Sequence, residues 1–407
     1  MKKDWRKLDN VAKLFSLDDK KNKNIFGYSI VLKENINKKI LKEALNKTLE
    51  NFRTFKVKMS KGIFWNYLEE NEKNIIIKKE DKVFYDHINT KENNDYLFKI
   101  SYYKNKINLN IFHVLTDGVG ALSFLKSIIY NYLNIKHNLT HYKNDEIVNV
   151  KDEFIKKYNK KYKEKFVFKK AFLLPYKKNN VSNTSHYIIK IEEIKKVCKS
   201  YNVTITEYLT ALYIYSLFLS FYNNRNKKDI VVTIPINLRK YYNVNTISNF
   251  FSCMNVNPGI IKNKLYTFEE VLKGVVNEFK DKLNTNKIKQ YITRDVNIGK
   301  NKSIGLIPLN IKKFAMKYFG NIFNSSATTT LSNVGKIDID NNYSKYIENI
   351  FMESKPWKVQ KIKCSVCSFE DKLNITINSD INNKHFLNMF FNLLKNDIKY
   401  IKVINNI

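Results

Sequence analysis

Residues 103–120 read YKNKINLNIFHVLTDGVG, and the fold follows from how the first eleven of these residues hand over to the last seven. Ile107, Leu109 and Ile111 alternate with Lys106, Asn108 and Asn110, the period of a strand with one buried face. On that phase His113 falls on the buried side. Beyond Gly118 the apolar residues Val119, Leu122, Leu125, Ile129, Tyr132 and Leu133 recur at helical spacing. Thr116 or Asp117, followed by Gly118, supplies the turn and the helix cap between the two elements. His113 therefore stands where a strand ends and a helix begins, a position that leaves it either a general base or a histidine satisfied within the core.

Outward from this centre, IFGYSIVL predicts a strand, and residues 37–51 predict a helix whose Ile40, Leu41, Ala44, Leu45 and Leu49 form one stripe. Strand patterns follow in FRTFKVKMS and IFWNYLEEN. A lysine-laden passage from about 140 to 183 carries few periodic signals and reads as the connection between two lobes. The second half opens with the strand SHYIIKI and the helix IEEIKKVCKSY. It continues through TITEYLTALYIYSLFLSF, DIVVTIPI, FFSCMNVN, TFEEVLKGVVNEFKDKLN and SATTTLSNVGKIDI, then a hairpin across VCSFEDKLNITIN and a closing helix from about 384. Strands mixed with long helices in both halves predict an α/β (α+β) fold of two sheet-and-helix lobes, with boundaries at 1–170 and 171–407.

With 407 residues, 43% of them hydrophobic, the chain has material for a large core. A formal charge of +34 would suit nucleic acid or an anionic surface, but only Arg6, Arg53, Arg225, Arg239 and Arg294 are arginines among 72 basic residues. Phosphate and groove recognition favours the guanidinium fork, and the lysines are spread over the whole chain, so no nucleic-acid role is expected. The four cysteines, Cys198, Cys253, Cys364 and Cys367, do not make a disulfide framework for a chain this size, which fits a reducing cytoplasm. Cys364 and Cys367 lie three apart on a strand pattern, facing opposite sides, with no second pair to complete a metal site. His137 and His141 are four apart but sit in a stretch that reads as a connection, so no metal is expected. The opening MKKDWRKLDN has no apolar run after it, and the longest apolar stretch, residues 208–222, is shorter than the roughly 18 to 20 residues of a membrane span. With 10 glycines and no Gly-rich phosphate loop, nucleotide-fold motifs are absent.

HVLTDG resembles the His-x-x-x-Asp-Gly signature of the acyltransferase superfamily that includes chloramphenicol acetyltransferase, the condensation domains of peptide synthetases, the plant BAHD enzymes and the alcohol acetyltransferases. LDNVAKLF and TFKVKMSKGIFWNYLEEN resemble the opening of bacterial proteins of the alcohol acetyltransferase type. TITEYLTALYIYSL, IPINLRKYYNVNTISNFFSCMNV and TLSNVG resemble successive segments of their second lobe, so the likeness runs over nearly the whole chain. The BAHD sequence Asp-Phe-Gly-Trp-Gly is not present.

The resemblance implies two chloramphenicol acetyltransferase-like lobes with a tunnel where they meet. In it His113 is the general base that takes a proton from an alcohol as the alcohol attacks the thioester of an acyl-CoA, most simply acetyl-CoA, with no bound cofactor and no covalent intermediate. Gly118 permits the turn and substrate approach. Asp117 pairs with Arg239 of INLR to brace the lobes. Ser332, Asn333, Asn249 and Phe251 are the candidates for oxyanion stabilisation or the tunnel wall. Two other functions compete: a stand-alone condensation-type enzyme whose acyl donor rides on an acyl carrier protein, and a non-catalytic binding protein on the same scaffold.

Overall fold

The computed structural model describes residues 4–17, 24–80, 88–139, 150, 152–162, 169–175, 182–221, 228–259, 265–300, 305–381 and 384–405. Along the first part of the chain run the strands β1 (Trp5–Lys7), β2 (Ile25–Leu32), β3 (Val57–Lys61), β4 (Asn66–Glu70), β5 (Ile77–Lys79), β6 (Phe98–Tyr103) and β7 (Lys106–Phe112). The second part supplies β8 (Asn183–Lys190), β9 (Val232–Asn237), β10 (Phe251–Val256), β11 (Thr329–Lys336), β12 (Ile347–Ser354), β13 (Ile362–Phe369), β14 (Lys372–Ser379) and β15 (Ile401–Asn405). They form a five-stranded sheet in the order β12-β2-β7-β6-β5, a seven-stranded sheet in the order β10-β9-β11-β13-β14-β8-β15, and a small sheet β1-β4-β3.

Each large sheet carries its own apolar core. Helices Lys38–Asn51 and Gly118–His137 cover the five-stranded sheet, and Leu41, Leu45, Phe124 and Ile128 are buried there with Ile100, Leu109 and Ile111. The predicted stripe on the first of these helices is what it buries, apart from Ile40, which stays at the margin. The helix Ile205–Phe221 is buried along most of its length against the seven-stranded sheet and the helices Phe268–Lys282 and Lys384–Asp397. Hydrophobic on all sides, it is a core helix; among the described residues no single helix is long and apolar enough to cross a membrane.

The two sheets meet face to face where β12 lies over β13 and β14. The alternation of β13 makes this visible in one pair of side chains. Cys364 is buried in the core of the second sheet and Cys367 in that of the first. All four cysteines are free thiols, and burial pushes Cys367 up to about 12. The seam itself is polar and satisfied: Asn349 and Asn374 exchange hydrogen bonds of 2.9 and 2.8 Å, Ser365 donates to Ser354 at 2.9 Å, and Asn378 accepts from the Ser354 amide at 3.1 Å.

Three expectations change. A division at residue 170 does not follow the sheets, because β12, at 347–354, runs antiparallel along β2 as the edge of the first sheet. The segment around His137 is the last turn of a helix rather than a connection, and His137 meets Glu34 at 2.6 Å. His141 lies outside the described residues, and among those described no group of His, Cys, Asp or Glu is arranged to hold a metal. The passage at 140–183 includes a short helix, Glu153–Lys157, capped by Asp152.

Candidate active site at the junction of the lobes

β7 ends at Phe112, and the backbone turns before the helix that starts at Gly118. Because the strand stops one residue earlier, His113 leaves the buried phase its spacing predicted. Its amide still donates to the Asn24 carbonyl at 2.9 Å, and the residue as a whole is half-buried. Three phenylalanine rings surround the imidazole: Phe26 on β2 at 4.2 Å, Phe15 at 4.9 Å and Phe251, the first residue of β10, at 5.5 Å. Two of these walls come from the N-terminal region and one from the second sheet, so the ring stands at the junction of the lobes. Burial holds its pKa down to about 4 against the opposing pull of the Asp117 carboxylate. The imidazole is neutral at pH 7.

Asp117 faces away from that ring. Its Oδ1 accepts from the Val119 and Gly120 amides at 3.1 and 3.2 Å, the bonds of an N-cap. The same carboxylate takes a two-pronged pair from Arg239, Nη1 to Oδ2 at 2.8 Å and Nη2 to Oδ1 at 3.1 Å, and Oδ2 also accepts from the Phe250 amide at 2.8 Å. Arg239 also donates to the Thr246 and Ser248 carbonyls at 2.9 and 2.7 Å and, at 3.4 Å, to that of Phe250. Cap and ion pair are thus one device. It fixes the segment 246–250 of the second lobe against the start of the helix that follows His113.

The close approach of these segments has its own requirement. A Cβ on Gly120 would stand 2.0 Å from Thr116 Oγ1 and 2.4 Å from the Ile247 carbonyl oxygen. Gly118, by contrast, is an ordinary first helical residue with no left-handed φ; a Cβ there would come within 3.3 Å of the Tyr28 hydroxyl and 3.4 Å of Val334. What glycine supplies at 118 is space, and the close backbone packing belongs to Gly120.

Asn249 is the residue through which the second lobe touches His113. Its Nδ2 donates to the His113 carbonyl at 3.1 Å and to Asp9 Oδ2 at 2.9 Å, and its amide donates to the same Asp9 oxygen at 3.3 Å. Asp9 also caps the helix Asn10–Phe15, which carries Phe15 to the imidazole. Burial raises the Asp9 pKa to about 6, although its hydrogen bonds work in the other direction. Asn249 Oδ1 and His113 Nδ1 are both enclosed and neither has a partner at hydrogen-bonding geometry, though the Asn249 side chain is close enough to act on the imidazole as a hydrogen-bonding neighbour.

The two hydroxyl-strand candidates separate. Asn333 turns to the helix Ile205–Phe221, where its Nδ2 donates to Thr206 Oγ1 at 3.0 Å, and its Oδ1 accepts from the Gly335 amide at 2.9 Å. Ser332 pairs with Ser365 on β13 just before a register shift that begins at Asn333, and Val334, within that shift, is the residue that approaches Gly118. Sequence reasoning missed Asp9, Phe15, Phe26 and Gly120. The fragment LDNVAKLF carries an Asp before a short helix, the usual cap signal, but nothing local told that this cap reaches residue 249.

No protein-family model and no curated protein sequence matches the chain. Solved structures do. A trichothecene 15-O-acetyltransferase from Fusarium sporotrichioides superposes with a TM-score of 0.61 at 10% identity, covering 96% of this chain and 94% of that one. The F. graminearum protein TRI101, determined with coenzyme A and T-2 mycotoxin, gives 0.63 at 10% identity over 99% and 100%. The starter condensation domain of a rhizomide synthetase, in complex with an acyl-CoA, gives 0.61 at 9% over 98% and 97%. The chain has the two-lobed fold of the chloramphenicol acetyltransferase-like and condensation-domain structures over essentially its full length.

Proposed function

We propose that the protein is an acyltransferase that moves an acyl group from the thioester of acyl-CoA to the hydroxyl of a small alcohol, with His113 as general base. The observation that carries this reading is a neutral, half-buried histidine at the lobe junction, with its backbone tied at both ends and its ring held between three aromatic walls. Since Nδ1 is enclosed, Nε2 is the nitrogen that can meet an acceptor hydroxyl. It takes the proton as the oxygen attacks the thioester carbonyl, and returns it to the departing thiolate.

This role needs hydrogen on Nδ1, and the enclosed Asn249 Oδ1 is the acceptor that would fix that tautomer. Asn249 and Asp9 are positioning residues here. Asp117 and Arg239 touch no reacting atom and hold the lobes in register. Ser332 is the hydroxyl we assign to the tetrahedral oxyanion, and Phe251 a wall of the substrate path. The likeness to a condensation domain and the basic surplus favour one alternative donor, an acyl thioester on an acidic carrier protein.

Thiol release from acetyl-CoA with a panel of alcohols and amines tests the reading. His113→Ala should lower kcat by about 10²- to 10⁴-fold, with thermal stability retained. Equal thiol release by wild type and variant would end the proposal for His113, and turnover only with acyl carrier protein would select the alternative donor.

A further inference from the structure

A cavity lies between the two sheets, away from His113. It has a volume of about 230 Å³ and is bordered by Val31 at the end of β2, Lys106 at the start of β7, and residues of β8, β12, β14 and β15. His113 follows the opposite end of β7, which at about 3.3 Å per residue puts it roughly 20 Å away.

The lining combines an apolar wall with excess positive charge. Tyr103, Phe351, Val31 and Ile188 supply the wall, and Lys104, Lys106, Lys372 and Lys402 face one lining carboxylate, Glu348. Lys372 is already engaged, donating to the Glu348 carbonyl at 2.9 Å. Lys106 has a side-chain exposure of 12%, and its nearest carboxylate, Glu353, is 4.0 Å away, beyond a hydrogen bond. Glu353 in turn accepts from Ser29 at 3.0 Å. Burial lowers the Lys106 pKa, the mark of a cation that has lost water and found incomplete replacement.

His186, 5% exposed, is the second polar group on the lining. Its ring packs on Phe351 at 4.2 Å and its Nδ1 lies 2.9 Å from Thr376 Oγ1, while Nε2 has no hydrogen-bond partner among the described residues. Burial holds this imidazole neutral. In the tautomer in which Thr376 donates to Nδ1, the one an anion in the cavity would select, Nε2 carries the hydrogen.

We propose that this cavity is a second ligand site, taking a small organic anion whose carboxylate or phosphate head meets Lys106, Lys402 and His186 Nε2 and whose apolar or aromatic body lies against Phe351 and Tyr103. A half-buried ammonium, 6.0 Å from the Phe351 ring centre and with no carboxylate within hydrogen-bond distance, gains from an anionic oxygen, as does an imidazole N–H beside it, and the flat wall accepts a ring. Residues of both sheets line the site, so an occupant adds contacts between the lobes.

Calorimetry and thermal unfolding with phenyl phosphate and benzoate distinguish the two head groups, with inorganic phosphate and phenol as the separate halves. One of the aromatic anions should bind and raise Tm more than either half does. Lys106→Met should weaken it at least tenfold, and Lys402→Ala, an exposed change that leaves the fold intact, should weaken it several-fold. Saturating coenzyme A should not displace it. Absence of binding by both anions, affinity unchanged in Lys402→Ala, equal binding of inorganic phosphate, or displacement by coenzyme A would each overturn the site. None of these readouts depends on acyl transfer, so the outcome is separable from that of the proposed activity.

Discussion

At the scale of single residues, two desolvated groups with opposite shifts set the response to pH. His113 is held down to about 4 from its ordinary 6.5, so its contribution to stability is present above pH 6.5 and is lost as pH falls through about 4. The same shift means that kcat/KM should stay level from pH 8 to about 5; an acid limb with its midpoint near 6.5 would contradict the environment described for the ring. Asp9 goes the other way. Raised from 3.8 to about 6, it contributes stability below the lower value that is lost as pH rises through the higher one. Asp9→Asn, which stays uncharged, should therefore gain on wild type in urea midpoint between pH 4 and 7, and a parallel pair of curves would refute the buried carboxylate. Asn249→Ala removes the link to the His113 carbonyl without touching substrate, and should lower kcat with little change in KM. The Asp117–Arg239 pair was legible in the sequence, as was the candidacy of His113, because each sits in a short motif. Asp9 was legible only as a cap, since its second partner lies 240 residues away and leaves no local trace.

At the scale of elements, periodicity found most strands and helices, and failed at their ends. The strand leading to His113 gave its buried face correctly through Ile111, but alternation cannot announce the residue at which pairing stops, and His113 lies just past it. The strand β11 shows the complementary case. Ser332 and Asn333 stand side by side as candidates, yet a register shift between Asn333 and Lys336, with Gly335 at φ +77°, sits immediately beyond, and Asn333 Oδ1 accepts from the Gly335 amide there. Glycine at the helix start behaves in the same way: two glycines in DGVG look equivalent in sequence and differ in what approaches them. Gly120→Ala should cost about 1 to 3 kcal/mol, because a methyl there collides with the Ile247 carbonyl, which accepts from Thr116 and lies between the two carbonyls that Arg239 binds. Gly118→Ala meets only side-chain atoms and should cost less. Denaturant titration of the two variants reads the difference directly.

At the scale of the whole molecule, the lobes are joined by a buried ion pair, a polar seam and one exchanged strand. Arg239→Met would leave the Asp117 carboxylate 5% exposed without its partner, and should destabilise by about 3 to 5 kcal/mol in thermal or urea unfolding. Arg239→Lys should recover little of this, because one ammonium cannot reproduce the paired contact or reach the Thr246 and Ser248 carbonyls together. The two-lobed architecture was legible from alternating strand and helix patterns, whereas the exchange of β12 was not, since IENIFMES carries the same apolar pattern whichever sheet receives it. That exchange bears on synthesis. The ribosome finishes β2 some three hundred residues before it makes the strand that will lie along it, and until then the β2 edge offers unpaired amides and carbonyls to any extended peptide nearby. A nascent chain of this kind depends on being shielded while it waits, and a fragment comprising residues 1–170 should aggregate when expressed alone yet be rescued by a peptide spanning 345–356 supplied in trans.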